Sequence, residues 1–236
     1  MISGAASRPD VGVVVVAAGA GVRAGPGEPK QFRPIHGVPM LLRALRPFTS
    51  HPAVSYVALA VPAAYATRPP EWLAKLADGG RLLLVVGGEE RADSVRAALH
   101  ALPPEATVVL VHDAARPFVS RPTIDAVIAR ARAGVGAVAA VAVSDTLKDA
   151  DGDGRVVRTV PRGSLWRAQT PQGFPRAMLM AAYAKYAPGG DVPTDDAALC
   201  EQAGHPVEVV ADSPQNFKIT TPDDFRMAEA LARDGW

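Results

Sequence analysis

The sequence predicts an α/β fold, a single-domain Rossmann-like three-layer sandwich in which a mostly parallel sheet carries helices on both faces. Short runs rich in valine, leucine and alanine alternate with segments of helical periodicity along the chain. These runs are almost continuously apolar, as strands buried on both faces of a parallel sheet must be. No run of like charge and no Ser/Gly-rich segment divides the 236 residues, so we expect one domain over residues 1–236.

The apolar runs place the strands and leave room for helices between them. Pro39 and Pro70 each open a predicted helix, and amphipathic stretches at residues 94–102 and 123–133 predict two more. The last helix has the clearest start signal, because Thr221 is a good N-cap and proline follows it. Six strands are predicted, at residues 13–17, 54–61, 81–86, 107–112, 135–143 and 207–210.

The alternation of strands and helices is interrupted after residue 143. The turn sequence Asp-Gly-Asp-Gly at residues 151–154 separates two short strand-like segments and predicts a β-hairpin arm at about residues 144–164. This turn resembles the start of a calcium loop, but the twelfth position from Asp151 is Arg162 instead of glutamate, which favours a plain turn. Packing on a second subunit would cover the unpaired edges of such an arm, so we expect a homodimer that uses it for dimerisation.

Composition excludes several classes of partner. The net charge is +1, from 25 basic and 24 acidic residues, which favours a small-molecule ligand and predicts no nucleic-acid or membrane partner. The longest apolar runs are about half the length of a membrane-spanning helix. The single cysteine, Cys200, cannot form an intrachain disulfide, and the first ten residues lack the apolar core of a signal peptide. We therefore expect a cytoplasmic protein.

A glycine-rich segment, Gly-Ala-Gly-Val-Arg-Ala at residues 19–24, follows the first predicted strand. Glycines at this point let backbone N–H groups approach a phosphate. The segment also fits the dinucleotide-binding fingerprint. However, the Gly-Pro-Gly-Glu-Pro stretch at residues 25–29 cannot form the first turns of a helix, and the second strand ends without an acidic residue for the ribose. A nicotinamide-dinucleotide site is therefore disfavoured.

Charged side chains follow three of the predicted strands. Arg23 and Lys30 follow the first strand, and Asp113 and Arg116 follow the fourth. The third strand leads to Gly-Gly-Glu-Glu at residues 87–90 and to Ser94, which is expected to cap the next helix. Open α/β sheets bind ligands at the carboxyl ends of their strands, so we expect these side chains to surround one site. Simple alternatives are solvated loop charges and a structural pair between Asp113 and Arg116.

Seven segments in this order resemble the 2-C-methyl-D-erythritol 4-phosphate cytidylyltransferase family, and together they span almost the whole chain. They are Ala17-Ala18-Gly19-x-Gly21-x-Arg23, Pro29-Lys30-Gln31, Gly87-Gly88-x-x-Arg91-x-x-Ser94-Val95, His112-Asp113-Ala114-Ala115-Arg116-Pro117, Asp145-Thr146-x-Lys148, Gln169-Thr170-Pro171-Gln172 and Asn216-x-Lys218. The sequence departs from the family pattern at Ala24, where methionine is frequent, and at Glu89, where a shorter aspartate is familiar.

The resemblance implies that CTP and 2-C-methyl-D-erythritol 4-phosphate react to give the CDP-alcohol and pyrophosphate, in the non-mevalonate route to isoprenoids. It implies Mg²⁺ on the triphosphate, with no metal ligand assigned to the protein. It implies catalytic roles for Arg23, Lys30, Arg162 and Lys218. The residues implied to bind CTP are Ala17, Ala18, Gly19, Gly21, Arg23, Lys30, Gly88, Glu89, Ser94, Ala114, Arg116 and Lys218. Those implied to bind the acceptor are Asp113, Thr146, Arg162, Thr170, Thr194 and Lys218, with Thr146 and Arg162 reaching the partner's site from the arm.

The residue types agree with this chemistry. A phosphate monoester has a second pKa of about 6 and needs no general base to attack, whereas two polyanions need positive charge to approach each other. Lys218 has a structural alternative as a strand-edge lysine, and Thr194 has one as an N-cap before two acidic residues. Two other functions stay open at this stage. One is cytidylyl transfer to another polyol phosphate such as ribitol 5-phosphate, and the other is a nucleotide-binding module without catalysis.

Overall fold

A computed structural model describes residues 9–19, 29–186 and 194–234 of the chain. Its strands are β1 Val11–Val16, β2 Pro34–Ile35, β3 Val38–Pro39, β4 Val54–Val61, β5 Leu82–Val86, β6 Val108–Asp113, β7 Gly136–Ala142, β8 Leu147–Ala150, β9 Val156–Val160, β10 Trp166–Pro175 and β11 Val207–Ala211. Its α-helices are α1 Met40–Thr49, α2 Ala63–Thr67, α3 Glu71–Ala77, α4 Arg91–Ala101, α5 Arg121–Arg132, α6 Arg176–Lys185, α7 Asp196–Gln202 and α8 Pro222–Arg233, and a 3-10 turn covers Lys30–Phe32.

Seven of the strands form the central sheet, in the order β11-β7-β10-β6-β1-β4-β5. All neighbouring strands are parallel except that β10 runs antiparallel to both β6 and β7. The carboxyl ends of β1, β4, β5 and β6 therefore meet at one edge of the sheet. This is the mostly parallel α/β sheet that the sequence predicts.

Helices cover both faces of the sheet. In β1, Val11, Val13 and Val15 belong to one fully buried cluster and Val14 belongs to another, as the two-residue period of a strand requires. The first cluster includes apolar residues of α1, α3 and α5, and the second includes those of α4, α6 and α7. A third, smaller cluster packs α8 against Ile35 and Phe118. The sheet is thus the middle of three layers, as predicted.

Helix starts differ from the predictions by a few residues. Helix α4 begins at Arg91 with Glu90 as its N-cap, so the prediction that Ser94 caps it is wrong. Helix α7 follows Asp195, whose side chain accepts from the Ala198 N–H, so the N-cap lies one residue after Thr194. The start of α8 is confirmed, because the Thr221 hydroxyl accepts from the Asp224 N–H at 3.3 Å.

Strand β10 was not predicted, although it lies between β6 and β7. Its centre carries buried polar side chains and a proline, both of which are unusual for a central strand. The register against β7 shifts between Ala168 and Gln172, and the Thr170–Pro171 peptide bond within this stretch is cis. These polar side chains have partners in other elements, which the sequence alone does not reveal. Helix α6, which follows β10, is not among the predicted helices either.

The predicted β-hairpin is present as an antiparallel pair of β8 and β9, and its use in dimerisation stays a prediction. The Asp151 carboxylate accepts hydrogen bonds from the backbone N–H groups of Asp153 and Arg155, and Gly154 adopts a positive φ of 79°. Asp151 therefore stabilises a tight turn. Val156 and Val157 on β9 are 61% and 65% exposed. Within the described part of the chain, no helix is both long and apolar enough to cross a membrane.

Candidate active site

A cavity of about 380 Å³ opens where β1, β5 and β6 end. Ten of the residues predicted from the sequence to bind substrates line it: Ala17, Ala18, Gly19, Lys30, Gly88, Glu89, Ser94, Asp113, Ala114 and Lys218. These residues come from three strand ends and from the segment before α8, which are far apart in the sequence. The structure thus brings most of the predicted nucleotide-binding residues together.

Other predicted residues lie elsewhere. Gly21 and Arg23 fall outside the described residues. Thr146 and Arg162 lie on the exposed arm, where an Arg162 guanidinium nitrogen is 3.3 Å from the Thr146 hydroxyl, and neither lines this cavity. Thr194 is exposed and precedes the N-cap of α7. Their predicted roles in the acceptor site of a partner subunit stay predictions.

Two lysines converge on the cavity. The Lys30 ammonium donates to the backbone carbonyl of Ile219 at 2.8 Å, and the Lys218 ammonium is 2.7 Å from a carboxylate oxygen of Asp113. The Ile219 N–H donates to the carbonyl of Ala115 at 2.8 Å, so the segment that carries Lys218 is attached to the end of β6. Lys30 and Lys218 therefore belong to one hydrogen-bonded assembly.

Asp113 is held by cations on both of its oxygens. Arg91 donates from Nε to one oxygen at 3.1 Å, and Lys218 binds the other. Burial alone would raise the pKa of Asp113, but the charges of Arg91 and Lys218 outweigh it and hold the pKa well below its usual range. Asp113 is therefore an ionised group that orients cations, and it pairs with Arg91 where a pair with Arg116 was the structural alternative.

Arg116, predicted to line the nucleotide wall, points away from the cavity. Its guanidinium donates to the backbone carbonyl of Asn216 at 2.8 Å, and it is absent from the cavity lining. Gln169 donates to the same carbonyl at 3.1 Å, and the Asn216 side chain donates to the carbonyl of Thr170 at 2.7 Å. These bonds fix the chain two residues before Lys218, so Arg116 and Asn216 position that lysine.

Thr170, predicted to bind the acceptor, lies buried beneath Asp113. Its hydroxyl accepts from the Asp113 N–H at 3.0 Å and is 3.0 Å from Nδ1 of His112. Burial lowers the pKa of His112 to about 4, so the ring is neutral at pH 7. Nε2 faces the Arg116 carbonyl at 3.0 Å and must carry the proton, since a carbonyl only accepts. The Thr170 hydroxyl therefore donates to Nδ1, which satisfies every polar atom of this pair.

Glycine allows the loops after β1 and β5 to touch. A Cβ on Gly87 would lie 2.2 Å from the Cβ of Ala18, which no side chain tolerates. The Ser94 hydroxyl accepts from the Gly88 N–H at 3.1 Å and donates to the Glu90 carbonyl at 3.3 Å. Ser94 therefore supports the loop that places Glu89 at the cavity, instead of capping the helix.

Three contributors were not assigned roles from the sequence. Gln31 donates from its buried side chain to the carbonyl of Ala17 at 2.7 Å, which fixes the end of β1. Arg91 belongs to the segment that begins at Gly87, and the sequence assigns it no function. In the structure it binds both Asp113 and the buried Asp196. Asp196 was interpreted only as an acidic residue in the first turn of a helix. A local sequence pattern does not reveal that Arg91 and Asp196, which lie 105 positions apart, bind each other.

The described residues contain no group of three or more His, Cys, Asp or Glu side chains arranged to hold a metal ion. The cavity instead combines glycine-lined backbone with Lys30, Arg91 and Lys218, at the edge of a parallel sheet where phosphates are bound. The fold and this site define a nucleotidyltransferase.

Comparison with known proteins identifies the family within this class to which the chain belongs. The family model "2-C-methyl-D-erythritol 4-phosphate cytidylyltransferase" matches residues 11–234, and the chain belongs to this family. A curated relative of that name from Frankia casuarinae is 44% identical, over 95% of this chain and 82% of its own length. Another from Salinibacter ruber is also 44% identical, over 93% of this chain and 91% of its own length. The crystal structure of the enzyme of that name from Thermus thermophilus superposes with a TM-score of 0.79 at 36% identity, covering 95% of this chain and 99% of that one.

Proposed function

We propose that this protein transfers CMP from CTP to 2-C-methyl-D-erythritol 4-phosphate, giving 4-diphosphocytidyl-2-C-methyl-D-erythritol and pyrophosphate in the non-mevalonate route to isoprenoid precursors. The observation that carries the proposal is the convergence of Lys30 and Lys218 on a glycine-lined cavity at the strand ends. Membership of the family supports the choice of both substrates.

Positive charge is the main requirement of this reaction. The acceptor phosphate is mostly a dianion at pH 7, because its second pKa is about 6, so it attacks the α-phosphorus without a general base. Asp113 supports this view, since its lowered pKa and its two cationic partners make it a poor proton acceptor. Lys30 and Lys218 would stabilise the charge that grows on the phosphate oxygens as the bond to pyrophosphate breaks.

The loop after β5 is suited to the nucleoside end of CTP. Glu89 is exposed at the cavity, and its carboxylate offers an acceptor for the exocyclic amino group of cytosine. The Ser94 hydroxyl already accepts from the Gly88 N–H, so this N–H group is not available to the base. Arg23 would add a further cation near the phosphates.

Mg²⁺ fits this site as a companion of the triphosphate. Asp113, the buried carboxylate of the cavity, is committed to Arg91 and Lys218, so the phosphate oxygens themselves would supply most of the ligands. Mg²⁺ bound there lowers the negative charge that the acceptor must approach. A cytoplasmic location belongs to the same proposal, because CTP is a nucleotide of that compartment.

The arm supports a homodimer. Val156, Val157 and Trp166 are exposed apolar side chains at 61%, 65% and 43%, on or next to the hairpin. Exposed apolar residues grouped on a two-stranded arm favour burial against a second subunit. Thr146 and Arg162 lie on the same arm and outside the cavity of their own subunit, so they would complete the acceptor site of the partner.

Mg²⁺-dependent release of pyrophosphate tests the reaction. CTP is supplied with 2-C-methyl-D-erythritol 4-phosphate, with ribitol 5-phosphate, or alone, and each of the other nucleoside triphosphates is tested with the first acceptor. The proposal expects release with CTP and the first acceptor only. Release only with ribitol 5-phosphate would overturn the acceptor, and CTP binding without release in any pair would indicate a non-catalytic module.

A further inference from the structure

A continuous chain of one hydrogen bond and three ion pairs runs from the interior of the protein to Lys218 at the cavity. The Tyr183 hydroxyl donates to one oxygen of Asp196 at 2.6 Å, and the other oxygen of Asp196 accepts from Arg91 at 2.8 Å. Arg91 also donates to Asp113, whose second oxygen binds Lys218. We call these five residues the buried ion-pair chain. It links α6, α7, α4, β6 and the segment before α8.

The inner end of the buried ion-pair chain is the most deeply buried part. The exposed fraction of the side chain is 40% for Lys218, 10% for Asp113, 28% for Arg91 and zero for Asp196. Burial alone would lower the pKa of Arg91, but Asp196 and Asp113 outweigh it and raise the pKa above its ordinary value, so the guanidinium stays charged. Burial and the charge of Asp196 raise the pKa of Tyr183, so its hydroxyl keeps its proton and donates.

Each of the three inner members has one partner on either side, and the geometry leaves little freedom. A guanidinium is planar, and Arg91 uses two different nitrogens for two carboxylates, so its orientation is fixed only while both are present. Loss of the carboxylate of Asp196 would let Arg91 rotate and would loosen Asp113, which is the group that holds Lys218. Asp196 and Tyr183 do not line the cavity, and this chain connects them to Lys218 through direct hydrogen bonds and ion pairs.

We propose that Asp196 and Tyr183 are positioning residues for cytidylyl transfer, because they fix Arg91 and, through Asp113, hold the Lys218 ammonium where it meets the reacting phosphates. This inference rests on the proposed function. It also explains why a charged residue is buried at the start of α7. A buried ion pair adds little net stability compared with well-packed apolar side chains, so orientation of a functional group is a better reason for it.

Tyr183→Phe and Asp196→Asn test the inference. The first removes one hydroxyl, and the second removes one charge at constant size. For each variant, the fraction of molecules that bind CTP is titrated first, and kcat for pyrophosphate release is then expressed per CTP-binding molecule. This ratio is insensitive to loss of folded protein, so a merely structural role would not change it. We expect kcat to fall by about tenfold or more for Asp196→Asn and by about threefold for Tyr183→Phe, with little change in KM for CTP.

Two control variants make the same chemical changes elsewhere. Tyr186→Phe removes a hydroxyl from the same buried cluster, and Glu208→Gln removes a carboxylate that pairs with Arg130 at 3.1 Å on the surface. Both should keep kcat within about twofold. If Tyr183→Phe and Asp196→Asn both match these controls while the wild-type chain is active, the positioning role is refuted. If the wild-type chain releases no pyrophosphate, the proposed function fails instead, so the two failures are distinguishable.

Discussion

Lys30 donates a hydrogen bond of 2.8 Å to the carbonyl of Ile219, the residue that follows Lys218. This contact joins two lysines that are 188 positions apart, one after β1 and the other before α8. The two cations that the proposed reaction needs are therefore held by the same short segment, which Arg116 fixes to the end of β6 and the Asn216 side chain fixes to β10.

Lys30→Ala should lower kcat by at least about a hundredfold, because the variant loses a cation that stabilises the negative charge developing in the transition state. The fold should survive, because Lys30 lies at a cavity and not in the core. Lys75→Ala is the matched control, as Lys75 is exposed on α3 and pairs with Glu71 in its own helix. Steady-state kinetics and thermal unfolding of both variants provide the test. A kcat for Lys30→Ala equal to that of Lys75→Ala would remove Lys30 from the mechanism.

Gly87→Ala should raise Kd for CTP by about tenfold or more. The new methyl group would meet Ala18, so the loops after β1 and β5 would have to separate and the nucleotide site would widen. Gly152→Ala in the turn of the arm is the control, because nothing lies within 4 Å of its added Cβ. Isothermal calorimetry with CTP measures both affinities. Equal affinities in the two variants would show that close contact of these loops is not needed for binding.

Stability should fall as the pH decreases from 7 to 5, in part because of His112. Its pKa is lowered from 6.5 to about 4 in the folded protein, so the unfolded chain binds more protons over this range. The free energy of unfolding therefore rises with pH between about 4 and 6.5, and His112 should contribute about 2 kcal/mol to the difference between pH 5 and pH 7. Urea unfolding measures the free energy of unfolding at pH 5 and at pH 7. The difference between these two values should be smaller by that amount in His112→Asn. In His100→Asn, at an exposed position on α4, the difference should match that of the wild-type chain. An unchanged difference in His112→Asn would contradict the neutral, buried imidazole.

Mixed dimers test whether the arm completes the partner's site. Lys30→Ala and Arg162→Ala subunits, unfolded together and refolded, should regain about a quarter of wild-type activity, because half of the dimers are mixed and each mixed dimer has one intact site. Lys30→Ala mixed with Lys218→Ala should regain nothing, since both residues belong to the cavity of one subunit. Activity in the first mixture no higher than the mean of the two separate variants would argue against a shared site.

Much of the fold was predictable because burial leaves a local signal. All six predicted strands are present, and their ends carry the predicted glycines and charges of the cavity. Strand β10 was missed because its centre is polar, and Gln169, Thr170 and Gln172 are explained only by partners in other elements.

The positions of single side chains were less predictable. Arg116 and Arg91 both follow strands and carry the same charge, yet Arg116 binds a backbone carbonyl while Arg91 lines the cavity and binds two carboxylates. Which of them reaches the cavity depends on packing between distant elements. The spacing of residues along the sequence shows where a strand ends. It does not show the direction in which the arginine side chain after the strand extends.

Phosphorus NMR of the complete reaction tests the central claim most directly. With CTP, Mg²⁺ and 2-C-methyl-D-erythritol 4-phosphate, we expect equal amounts of pyrophosphate and a new diphosphate diester, as the acceptor monoester signal disappears. Formation of pyrophosphate with free CMP, or an unchanged acceptor signal, would contradict it.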